Sequence, residues 1–145
     1  MSVQITGIEQ LNRDIARIKK NIGNSLFKAI YEGGKLVETT AKRKIRTISY
    51  GKTVTRTREG GGTYKHIASP AGSAPNTDTG RLINSVTTEI GADSVLVGSS
   101  VNYAGTLEFG TTEMKPRPWL NPSFEENRNK IRNKMEFALM KSFKK

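Results

Sequence analysis

A single apolar stripe dominates the first third of the chain. Ile8, Leu11, Ile15, Ile18, Ile22, Leu26, Ile30, Val37, Ala41, Ile45 and Ile48 recur in steps of three, four and their sum. That period lines one face of an α-helix. Thr6 and Glu9 stand at capping-box spacing, where hydroxyl and carboxylate satisfy free backbone donors at a helix start. A helix running from residue 8 to about 46 would span roughly 60 Å at 1.5 Å per residue. A compact domain of this size needs less, so the helix is expected to pack against another subunit as well as its own sheet. Gly23 and the pair Gly33-Gly34 interrupt the stripe, each costing up to about 1 kcal/mol relative to alanine. A bend or break is predicted near Gly33.

Residues 49–77 lose the periodicity. Lys52 to Arg58 alternates like a strand, with threonines on one side and basic residues largely on the other, and Glu59-Gly-Gly-Gly-Thr63 reads as a hairpin turn or flexible tip. Long irregular segments of this kind usually carry function or disorder. Residues 78–120 predict a short helix with Leu82, Ile83 and Val86 as its apolar side, then a hairpin of Val86–Ile90 and Val95–Val97 turning at 91–94. A helical turn from Tyr103 ends at Gly110, and Lys115-Pro-Arg-Pro118-Trp119 is extended. The last segment, 121–143, opens on Asn121 as N-cap and Pro122 at the first helical position, with Glu125 and Glu126 following. Phe124, Ile131, Met135, Ala138, Leu139 and Phe143 continue its stripe. The expected architecture is one α+β domain over residues 1–145: a long N-terminal helix and a C-terminal helix packed on a small antiparallel β-sheet, with a long basic loop or hairpin.

Composition sharpens this. Hydrophobic content of 34% and aromatic content of 7% over 145 residues predict a thin core, or one completed by neighbouring subunits. The net charge of +11 is uneven: residues 1–50 hold ten Lys and Arg against four acids, residues 115–145 nine against three, and residues 51–114 five against six. Basic ends flanking a neutral middle suggest an acidic partner, or two helices with lysine-rich solvent faces. With no cysteine and one histidine, His66, thiolate metal sites, cysteine nucleophiles and disulfides are excluded, and a histidine-based metal site or Ser-His-Asp triad is disfavoured. No apolar window is long enough to span a membrane and no signal-peptide core opens the chain, so a cytosolic product, or one assembled in a cytosol, is expected.

Asp78-Thr79-Gly80 is the tripeptide of aspartic proteases, whose aspartate sits on a tight loop after an apolar strand and shares a proton with its twin. Here Gly-Ser-Ala-Pro-Asn-Thr precedes it and Arg-Leu-Ile-Asn-Ser follows, polar and proline-broken before, helical after. Asp78 is therefore expected to cap a short helix. Specific DNA recognition lacks its usual carriers, because Tyr50, Tyr64 and Trp119 are scattered rather than interleaved with cations.

Three separated motifs then stand in order: Gly72-Ser-Ala-Pro75 with Asp78-Thr-Gly80-Arg81-Leu82 and Ser85; Val97-Gly98 with Tyr103-Ala104 and Glu108-Phe109-Gly110-Thr111; and Pro116-Arg-Pro118-Trp119-Leu120-Asn-Pro122. Over residues 70–126 this order resembles the tail-completion proteins of long-tailed bacteriophages, also called head–tail joining or tail-terminator proteins. The family more often has Phe where Trp119 stands, and the basic insert at 51–69 is less typical. The resemblance implies a structural virion protein and no enzyme, catalytic residue, cofactor or metal. It implies a ring, commonly a hexamer in this family, that caps the tail tube and joins it to the head connector or stopper protein, with DNA passing through the lumen unread. The place of action would be the virion neck, assembled in the bacterial host cytoplasm. Another connector or minor capsid component, or a basic nucleic-acid-binding module, is the alternative. In this frame Tyr103 and Phe109 would bury under the sheet, Glu108 would pair with Arg81 or Arg117, and Trp119 would anchor in its own core in preference to a neighbour's. Lys52, Arg56, Arg58, Tyr64 and Lys65 would reach an adjacent subunit or partner.

Overall fold

The computed structural model describes residues 8–91 and 94–143; Thr6 of the expected capping box lies outside them. The elements run α1 (Ile8–Arg46), β1 (Thr53–Thr57), β2 (Thr63–Ile67), α2 (Arg81–Ser85), β3 (Val86–Ile90), β4 (Val95–Ser99), α3 (Ala104–Phe109) and α4 (Asn121–Phe143). This is the expected α+β layout, except that its strands form two separate antiparallel hairpins, β1–β2 and β3–β4, instead of one sheet.

α1 is continuous over 39 residues, so the chain does not break at Gly33. The glycines serve packing. A Cβ on Gly34 would lie 2.7 Å from Val95 Cγ1 and 2.9 Å from Thr88 Cγ2, and one on Gly33 would lie 3.0 Å from Ile131. The β3–β4 hairpin thus approaches α1 more closely than a Cβ at position 34 would allow, and α4 packs tightly on Gly33. α4 runs antiparallel to α1. Arg43 and Lys44 meet Glu126, Asn127 Nδ2 donates to Thr40 Oγ1 at 2.9 Å, and Lys134 meets Glu32 at 2.8 Å.

The core gathers Ala41 and Ile45 of α1, Leu82 and Ile83 of α2, Val86, Ala104 and Trp119, with Leu107 and Leu120 packed against it. Trp119 is 2% exposed, inside its own chain, and is the largest side chain of this core. The segment after β2 is tied to the end of α1: Asn76 bonds Ser49 N, Ser49 O and Ile67 O, each at 2.8 Å, and Thr77 Oγ1 donates to Ile45 O at 2.9 Å. In β1–β2, Gly60, Gly61 and Gly62 all have positive φ and Arg58 N donates to Gly62 O, which gives the predicted glycine turn its shape.

Candidate functional site

Asp78 sits at the foot of the basic hairpin. In register, Arg56 opposes Tyr64 and Val54 opposes His66, so these four side chains share one face of β1–β2. That face looks at Asp78: Tyr64 OH donates to Oδ1 at 2.7 Å, Arg56 NH1 pairs with Oδ2 at 2.8 Å and His66 Nδ1 stands 3.7 Å away. Asp78 is therefore not the helix cap the sequence suggested. Gly80, at φ 80°, holds the N-cap position of α2 with no side-chain hydrogen bond. The carboxylate instead locks the hairpin to the body. Its hydrogen bond to Tyr64, reinforced by its negative charge, pushes the tyrosine's pKa up. Arg58 lies over the Tyr64 ring at 5.6 Å, while Lys52 and Lys65 are exposed. A cleft of about 550 Å³ runs beside this node, with Arg81 and Arg117 on its walls.

Glu108 is the second node. It is buried, and its oxygens accept from Trp119 N at 2.8 Å, Leu120 N at 2.9 Å and Asn121 N at 2.8 Å. It pairs with neither Arg81 nor Arg117, since Arg81 is exposed and Arg117 Nε donates to Ser69 O. The expectation fails because the free donors at the start of α4 outcompete a solvated arginine for a carboxylate already held on α3. Pro118 lies immediately before that run. The α4 cap predicted at Asn121 is thus supplied to its backbone by Glu108, thirteen residues upstream. Gly110, at φ 76°, closes α3 and lets the chain turn toward Pro116.

Two aromatic expectations are overturned. Phe109 is 81% exposed and Tyr103 lies at the surface, because α3 is six residues long and turns Ala104, Leu107 and Glu108 inward. Both face solvent instead of lying under the sheet. With Leu96, Phe124, Phe137, Met140 and Phe143 also exposed, large apolar side chains crowd the surface around a small core.

A third node escaped sequence reading. Glu38, buried on α1, receives Lys35 Nζ at 2.6 Å, Lys42 Nζ at 2.7 Å and Thr88 Oγ1 from β3 at 2.7 Å. Burial pushes its pKa up, but these hydrogen bonds and the Lys42 charge outweigh it and hold the carboxyl at about 2. The lysine spacing on either side was a legible signal; the Thr88 contact was not. Among the described residues no group of His, Asp and Glu is arranged to hold a metal ion, and no helix is long and apolar enough to cross a membrane. Comparison with protein-family models, with curated proteins and with solved structures found no match.

Proposed function

We propose that this chain is a structural subunit of a phage neck: a tail-completion protein that assembles into a ring, caps the tail tube and joins it to the head connector. One observation carries the reading. The three motifs that resemble the tail-completion family, separated in sequence, close on a single core, Ala74 and Leu82 from the first, Ala104 from the second, Trp119 and Leu120 from the third. Glu108 of the second motif also caps the helix that the third one opens. The acidic residues of the motifs have structural tasks: Asp78 ties the hairpin to the body and Glu108 caps α4.

The surface supports assembly. Phe109 beside an apolar groove, and Phe137, Met140 and Phe143 near the end of α4, are exposed apolar side chains available for partner contact. The basic hairpin, pinned by Asp78, presents Arg58, Lys52 and Lys65 outward to a tube, a connector or a neighbouring subunit. The excess positive charge suits a channel that passes DNA by nonspecific phosphate contact.

Native mass measurement with and without assembled tail tubes tests the proposal. A ring, alone or templated on tube ends, is expected; a chain that stays strictly monomeric beside tubes sinks it. A basic nucleic-acid-binding module would instead bind DNA tightly at low salt and release it steeply as salt rises.

A further inference from the structure

We propose that the N-terminal arm of α1, Leu11 to Ile22, docks in an apolar groove of a second copy, so that subunits join head to tail. This inference deepens the ring reading and rests on it. Because α4 is antiparallel to α1, its last turns lie beside Asn21, Asn24 and Ser25. Among the described residues nothing covers the helix further toward its start. Leu11, Ile15 and Ile18 are 59%, 43% and 40% exposed, and with Ile22 they form one stripe at i, i+4, i+7 and i+11. The arm thus prolongs an apolar face beyond the partner that covers it.

A matching surface lies elsewhere on the molecule. Between α1, β4 and the start of α4 runs a groove of about 520 Å³, walled by Ile30, Val37, Val95, Val97, Phe124 and Ile131. Exposed Phe109 stands at its rim. An amphipathic helix laid into an apolar groove is a recurrent mode of recognition. The arm cannot enter the groove of its own chain: α1 is unbroken, and Ile15 and Gly34 are held roughly 28 Å apart on one rod.

Charge favours the same pairing. Residues 86–114, whose β4 and α3 wall the groove, hold the exposed acids Glu89 and Glu113 and no Lys or Arg, while Glu108 is buried and committed to the α4 backbone. In a chain of net charge +11 this is its acidic stretch. The arm brings Arg13, Arg17, Lys19 and Lys20 against Glu9 and Asp14. Arm and groove are different surfaces, so their contact is heterologous and repeats from copy to copy, forming a ring where the rotation per copy closes.

The chain has no cysteine, which makes disulfide trapping clean. Full-length Ile15→Cys and Phe109→Cys variants, mixed and oxidised, are expected to cross-link at about tenfold the yield of Ile15→Cys with Tyr50→Cys, a site away from the groove. Ile15→Asp, at an exposed position, is expected to keep its helical circular dichroism while self-association weakens at least about tenfold. A ring that forms without the Ile15–Phe109 cross-link overturns the arm–groove contact and leaves the neck reading standing. Cross-linking of Ile15→Cys to itself or to Met140→Cys overturns it in favour of paired ends. Arm–groove cross-links in assemblies that never engage tail tubes support the contact and remove the neck reading. Unimpaired assembly of Ile15→Asp overturns it.

Discussion

Glu108 illustrates how a charged side chain acts as structure. Its carboxylate replaces water for three successive backbone N–H groups at the entry to α4, and both of its oxygens are occupied by them. Glu108→Ala leaves those donors without a partner and is expected to cost about 3 kcal/mol, with Glu108→Gln losing roughly half as much because one oxygen survives. Urea midpoints at unchanged slope would report this; a loss below about 1 kcal/mol for the alanine variant would mean that Glu108 does not cap α4. Glu38 makes the complementary case through pH. Its carboxyl titrates at about 2 in the fold against 4.5 ordinarily. A depressed carboxylate contributes stability above its unfolded pKa, and that contribution is lost as pH falls from about 4.5 toward 2. Because Lys35 is half exposed, the contribution is on the order of 2 kcal/mol. Glu32 and Glu126 are also lowered by their lysine partners. The difference between wild type and Glu38→Gln isolates the single group: the variant's Tm should fall less steeply below pH 4.5, and parallel acid limbs would count against the assignment.

At the scale of elements, helices and hairpins were largely readable. The period of the α1 stripe, the glycine turn at 59–62 and Pro122 at the start of α4 are local signals, and local physics decided those elements. Misreadings occurred where a distant element decided. Gly33 and Gly34 look like helix breakers in isolation, but the loss of helix propensity is offset by close packing against Ile131, Val95 and Thr88. Asp78 looks like a cap until Tyr64 and Arg56 arrive from a hairpin more than a dozen residues away. Phe109 looks like core because α3's length, and so the face it buries, cannot be read from residue type. The contrast between two glycines of the same helix makes this testable. Gly23 has open space where a Cβ would go, so Gly23→Ala should stabilise by up to about 1 kcal/mol. Gly34→Ala gains the same propensity but drives a methyl into Val95 and Thr88, and should destabilise by about 1–3 kcal/mol. Thermal melts of the two variants decide it; equal stabilisation by both would mean that the β3–β4 hairpin does not pack on Gly34.

For the whole molecule, the balance between inside and outside is the governing fact. The buried apolar set is small, with Trp119, Ile45 and Val86 its largest fully buried apolar members, while Leu11, Leu96, Phe109, Phe137 and Phe143 remain in water. A fold with so little core relies on what binds its surface, and binding that is specific to the folded state raises its stability by mass action. If assembly through the arm covers the exposed stripe, the melting temperature must depend on protein concentration. A hundredfold rise in concentration adds about 2.7 kcal/mol per association step, and at a few degrees per kcal/mol the melting temperature should climb by several degrees. Ile15→Asp alters no buried contact of the subunit, so at high dilution it should melt with wild type. As concentration rises the two curves should part, wild type climbing and the variant staying nearly flat. Scanning calorimetry from low micromolar upward would show this. A wild-type melting temperature constant across that range would mean that the subunit is stable alone and that its exposed apolar surface does not associate with its own kind.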